Sequence, residues 1–134
     1  YTDFSKNGGK RPLVVSYASS PAAEVFYSKV KLSEAPTVSL ALKGGVFQQV
    51  EGVALVKGAG QTEAAGKFIE FLRGTPVQQA LQTTLWMLPA TPGTPKADVL
   101  KHSPEPTAFD NPTADQMAQH SSAWVARWTK VVLK

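Results

Sequence analysis

Proline is the residue that most limits how this chain folds, because most of its ten prolines lie between residues 89 and 112. Each proline removes a backbone N–H donor and disfavours the helical conformation in the residue before it. The sequence therefore predicts an irregular connection that follows the surface over residues 89–112, with regular structure on either side of it.

Hydrophobic periodicity predicts helices before and after this connection. Apolar residues recur at helical spacing from residue 62 to 73, and Gly74 follows where a left-handed C-cap is expected. Residues 75–78 and residues 113–116 both have the pattern of a capping box, which predicts a short helix and a final helix. The final helix is expected to dock through an apolar stripe, with its two tryptophans in the core: Met117, Ser121, Trp124, Val125, Trp128 and Val132.

Short β-rich runs predict strands in the first half of the chain. Residues 12–17 contain a Leu-Val-Val run, and residues 37–42 and 47–56 are further candidates. Ser20 before Pro21 predicts an N-cap and a helix that continues to about residue 29. Residues 12–29 therefore form a predicted unit of strand, tight turn and helix.

Composition and charge exclude several classes of protein. The net charge of +4 comes from 14 basic and 10 acidic residues that are scattered, so we expect no nucleic-acid partner. The absence of cysteine excludes disulfides and thiolate metal sites, and no apolar run approaches the ~20 residues of a membrane span. His102 and His120 stand far apart without a ligand motif, so no metal site is predicted. Because the chain opens at Tyr1, we expect it to be a fragment of a longer product.

Hydroxyl groups cluster where the first predicted strand meets the helix. Ser16, Tyr17, Ser19 and Ser20 suit a polar or anionic ligand group, but they equally suit the capping of the helix and turn. Trp86 lies at the start of the irregular chain, where it either stacks on a flat or cationic ligand or anchors the loop in the core. The residues alone leave both alternatives open.

A serine hydrolase is a less favoured alternative. Ser19 or Ser20 combines on paper with a histidine and Asp110 into a triad, but the sequence has no Gly-x-Ser-x-Gly elbow. We therefore predict no enzyme activity and no cofactor.

Three segments stand in a characteristic order: PLVVSYASSP at 12–21, EAAGKFIEFLRGTPVQQAL at 63–81 and TTLWMLPAT at 83–91. In this order they resemble the C-terminal part of thiamine-binding periplasmic proteins. The resemblance implies a portion of a type II periplasmic binding protein, an α/β fold of strands flanked by helices that spans part of two lobes. It implies that residues 1–55 belong to the C-terminal ligand-binding lobe and that residues 56–134 return to the N-terminal lobe.

The same resemblance implies a function. The protein is expected to be the substrate-binding component of an ABC importer, located in the periplasm or otherwise outside the cytoplasm, that delivers thiamine, a thiamine phosphate or a related solute to a membrane permease. Carriers for phosphonates, polyamines or ferric iron share the helix-pair motif and stay as alternatives.

The resemblance also assigns individual residues. It implies that Ser16 and Tyr17 lie at the cleft edge and that Trp86 flanks the ligand ring. Ala23 stands where the family tends to have a second aromatic, and Tyr27 is not expected to replace it. A returning segment on its own is expected to expose sheet edges, which favours a homodimer or a swapped dimer.

Overall fold

The structure is a computed structural model that describes residues 1–133. In this range the chain forms four α-helices and two short 3-10 helices, at residues 5–7 and 98–102. The α-helices are α1 (Ser20–Phe26), α2 (Thr62–Arg73), α3 (Thr75–Thr84) and α4 (Ala114–Val132). Across the same residues, no helix has both the length and the apolar character needed to cross a bilayer.

The expected α/β fold of strands flanked by helices is wrong. The chain is 42% helical and 2% strand, and the described residues form no sheet. The three runs predicted as strands, at 12–17, 37–42 and 47–56, have no ladder partner, and Val15 is 99% exposed. A strand is stabilised by backbone hydrogen bonds to a neighbouring strand, whereas a β-rich run reports only that its side chains suit a sheet. The isolated parallel bridge between Phe4 and Arg11 does not supply such a neighbour.

The helix pair is confirmed, but its caps differ from the prediction. α2 has the predicted bounds, whereas Gly74 is extended (φ −64°, ψ 143°) because it is at once the C-cap of α2 and the N-cap of α3. A Cβ at Gly74 would lie 3.0 Å from the carbonyl oxygen of Phe71, so a larger residue here would require the backbone to shift by a few tenths of an ångström. The predicted capping box at residues 75–78 is wrong, because the Gln78 side chain bonds elsewhere.

The described residues divide into two compact units. The larger unit, called the main unit, comprises residues 1–40 and 50–106, and the second unit comprises residues 41–49 and 107–133. In the main unit, α1 packs on the 3-10 helix Asp98–His102, and Ala22 and Leu100 are buried. The buried Ser103 hydroxyl accepts a hydrogen bond from the Ala22 N–H (2.9 Å), which satisfies a donor in the first turn of α1.

Two buried glutamines of α3, Gln78 and Gln82, hold the proline-rich connection in place. We call this pair the glutamine clamp. Gln78 Nε2 donates to the Leu72 carbonyl (2.8 Å) and its Oε1 accepts from Ala90 N–H (2.8 Å). Gln82 Nε2 donates to the Pro95 carbonyl (2.9 Å) and its Oε1 accepts from Ala97 N–H (2.8 Å). The predicted irregular connection is thus confirmed, and its residues 90–97 are tied to α3.

The second unit contains α4, whose predicted capping box is confirmed. The Thr113 hydroxyl accepts from Gln116 N–H (3.2 Å), and Gln116 Oε1 accepts from Thr113 N–H (2.9 Å). The expected docking of the apolar stripe is wrong for the described residues, because every residue of α4 is exposed. Trp124 and Trp128, expected in the core, are 44% and 56% exposed. Periodicity sets the face that a helix would bury but does not supply the surface that covers it.

Candidate functional site

Trp86 has the most unusual backbone in the main unit. Its φ of 59° makes it the one non-glycine residue among residues 1–133 with positive φ. It follows the C-cap of α3, where glycine or asparagine usually adopts the left-handed conformation. For a residue with a Cβ this conformation costs about 1–2 kcal/mol. The turn lets Met87 N–H reach back to the Leu81 carbonyl (3.3 Å) while the chain leaves α3.

The indole of Trp86 packs against two aromatic rings at the C-terminal end of α1. Its ring centroid lies 5.5 Å from that of Phe26 and 5.7 Å from that of Tyr27, with interplanar angles of 78° and 67°. Phe26 and Tyr27 also contact each other edge-on at 5.2 Å. These three residues are called the aromatic cluster. It is partly open to solvent, since Phe26 and Tyr27 are 50% and 64% exposed and Trp86 is half-buried.

The hydroxyl-bearing side chains predicted as a site, Ser16, Tyr17, Ser19 and Ser20, lie at the other end of α1 and are called the hydroxyl cluster. Ser16 Oγ and Ser20 Oγ are 2.6 Å apart and share a hydrogen bond, and the Tyr1 hydroxyl also bonds to Ser16 Oγ. The Ser20 side chain is therefore engaged with Ser16 and does not cap α1, which begins at Ser20 itself. Three hydroxyls form a short chain at this place.

Ser19 and Tyr17 lie at the same end of α1. Ser19 is the N-cap of α1 but makes no side-chain cap hydrogen bond, and its carbonyl accepts from Ala23 N–H (3.1 Å). The Tyr17 carbonyl accepts from Ser20 N–H (3.0 Å), and its side chain is 74% exposed. Capping thus does not account for the Ser19 and Ser20 hydroxyls, and the Tyr17 phenol projects into solvent.

The five predicted site residues therefore form two groups. A helix rises about 1.5 Å per residue, so Ser20 and Phe26 are about 9 Å apart along the axis of α1. Among the described residues, no hydrogen bond or ring contact joins the hydroxyl cluster to the aromatic cluster. The structure brings Ser16 to Ser20, and it brings Trp86 to Phe26 and Tyr27.

Phe26 and Tyr27 are residues that sequence reasoning missed. Tyr27 was not expected to act in this site and Phe26 was given no role, yet both contact Trp86. The available signal was a Phe-Tyr pair near the end of a predicted helix. Their contact with a residue about sixty positions away depends on how α1 and α3 are placed, which local patterns do not report.

Asp110, the acid of the hydrolase alternative, has other partners in the structure. The Asp110 carboxylate accepts from Gly44 N–H (2.9 Å) and from Val46 N–H (3.4 Å), so it closes a turn in the second unit. His102 lies in the main unit but makes no hydrogen bond there to Ser19 or Ser20. In the described part of the chain, no three histidine, cysteine, aspartate or glutamate side chains group in a way that could hold a metal ion.

Comparison with known proteins finds similarity to periplasmic binding proteins. No family model and no solved structure matches the chain. It is 32% identical over 92% of its length to the thiamine-binding periplasmic protein of Escherichia coli K12. It is 30% identical over 92% to that of Salmonella typhimurium and over 96% to that of Brucella melitensis. The chain spans 36–37% of the length of these relatives. Their names confirm the expected periplasmic location.

Proposed function

We propose that the protein is the substrate-binding component of an importer and that it binds thiamine or a closely related solute. The observation that carries the proposal is Trp86, a half-buried indole in a left-handed backbone beside two exposed aromatic rings. An indole face attracts flat and cationic groups, and thiamine contains a positively charged thiazolium ring. The relatives named thiamine-binding periplasmic protein support the same ligand.

Strain at Trp86 strengthens this assignment. A residue held in a sparsely populated conformation persists when the surrounding structure imposes it, and such residues cluster at ligand sites. The hydroxyls of Ser16, Ser19 and Ser20 and the exposed Tyr17 are proposed to provide polar contacts to the same solute.

Three further parts of the proposal rest on the sequence resemblance. The protein is proposed to deliver its solute to an ABC permease and to belong to the type II superfamily. Residues 1–55 and residues 56–134 are proposed to belong to two different lobes. Self-association of the chain also stays a prediction. The names of the relatives describe binding proteins, which favours a carrier over an enzyme.

Calorimetric titration of the full-length gene product with thiamine tests the proposal. Trp86→Ala should weaken binding by about 1–3 kcal/mol, the usual loss when a buried aromatic contact is removed. Trp124→Ala is the matched control, because Trp124 is an exposed tryptophan of the second unit. Equal affinity of the Trp86 variant and the native protein would remove Trp86 from the site. Heat of binding from spermidine or a phosphonate, and none from thiamine, would assign a different solute.

A further inference from the structure

We propose that Tyr27 contacts the ligand directly and that, with Trp86, it forms the surface that recognises a flat, ring-bearing organic cation. Phe26 packs against both rings and holds them at their mutual angle. This inference rests on the proposed function and adds to it a specificity-determining residue at the C-cap of α1.

The exposure of the Tyr27 side chain is the first argument. It contacts Trp86 at 5.7 Å between ring centroids and Phe26 at 5.2 Å, yet 64% of its surface stays in solvent. Its hydroxyl has no hydrogen-bond partner within residues 1–133. Tyrosine with an apolar body in contact and a free polar tip is a common arrangement where a partner binds. The ring therefore has both a fixed position and an accessible surface.

The geometry of the three rings is the second argument. Their planes meet at 89°, 78° and 67°, so the cluster presents surfaces that face in different directions. The negative face of each ring attracts a cation within about 6 Å of its centroid. Two rings that contact each other at a steep angle allow a flat cation to meet both at once. Trp86 alone would offer a single surface.

Glu24, the one acidic residue of α1, is engaged within the fold. It is paired with Lys6 (3.1 Å) and accepts a hydrogen bond from the Thr37 hydroxyl (2.7 Å). Its carboxylate is mostly buried, with 14% of the side chain exposed. Its charge is therefore compensated by Lys6, and cation recognition at this end of α1 is assigned to the aromatic faces, beside the exposed Lys29.

Titration of Tyr27 variants of the full-length gene product with thiamine tests the inference. Tyr27→Ala and Tyr27→Leu should weaken thiamine binding by about 3- to 30-fold, the range expected for loss of one cation–π contact. Tyr27→Phe retains the ring and should stay within about twofold of the native affinity. Phe68→Ala is the matched control, since Phe68 is an exposed aromatic of α2 that packs only on Phe71 among the described rings.

The outcomes separate this inference from the function on which it rests. If Trp86→Ala weakens binding while Tyr27→Ala and Tyr27→Leu bind as tightly as the native protein, the role of Tyr27 is refuted and the function stands. If the native protein binds no thiamine, the function fails, and the inference fails with it. Urea unfolding of each variant identifies any loss of affinity that comes from loss of fold, and Tyr27→Leu, which keeps apolar bulk, then decides the question.

Discussion

Replacing Gln82 by alanine should destabilise the main unit far more than replacing its exposed neighbour Gln79. Gln82 is 1% exposed and satisfies two backbone groups of the proline-rich connection, the Pro95 carbonyl and the Ala97 N–H. Truncation removes both bonds at once. Gln79 lies on the exposed side of α3 and is the matched control.

The size of the effect follows from the groups left without a partner. A buried donor or acceptor that loses its partner costs about 1–3 kcal/mol. Ala97 is half-buried and its N–H stays without a partner, whereas Pro95 is exposed and its carbonyl is able to bond to water. We therefore expect Gln82→Ala to lower the free energy of unfolding by about 2 kcal/mol, most of which comes from the unpaired Ala97 N–H.

Urea unfolding followed by circular dichroism measures this difference. With a denaturant slope of about 1–3 kcal/mol per molar, a loss of 2 kcal/mol moves the midpoint by about 1 M. Gln79→Ala should leave the free energy of unfolding within about 0.5 kcal/mol of the native value, as is usual for surface changes. Equal midpoints for Gln82→Ala and Gln79→Ala would refute the role of the glutamine clamp.

Two further substitutions test the local backbone. Trp86→Gly should have a free energy of unfolding about 1 kcal/mol higher than Trp86→Ala, because glycine adopts a φ of 59° without steric cost. At the helical position Thr84 the alanine variant should instead be the more stable of the two. The same order at both positions would contradict the left-handed conformation of Trp86. Thr113→Ala removes the capping box of α4 and should cost about 0.5–2 kcal/mol, seen as faster amide exchange in the first turn, whereas Ser121→Ala in the middle of α4 should leave that exchange unchanged.

The elements that the sequence predicted well are those whose determinants are local. The bounds of α2 follow from apolar residues three and four apart, and the start of α4 follows from Thr113 and Gln116. Each of these signals acts within a few residues, so a single sequence carries the whole of it. The helix predicted from residue 20 also forms, but it ends at Phe26, sooner than expected.

The strand predictions were wrong because the determinants of a strand are not local. A run such as residues 12–17 becomes a strand only when another backbone lies beside it, and its composition does not say whether one does. The stripe of α4 is a similar case, since its periodicity is real but its residues are exposed. Both predictions depended on a surface that has to come from a distant part of the sequence.

The site shows how a non-local contact changes the meaning of a local pattern. Gln78 matched a capping box, yet it and Gln82 bind the proline-rich connection instead. Prolines leave the backbone with carbonyls and few N–H groups, and a glutamine amide, which both donates and accepts, satisfies such a segment better than a helix or sheet does. That segment leaves α3 at Trp86 and is bound to α3 again at Pro95 and Ala97, so the clamp closes a loop that begins with Trp86. The segment in which prolines prevent regular structure is thus held by side-chain bonds from Gln78 and Gln82 of α3.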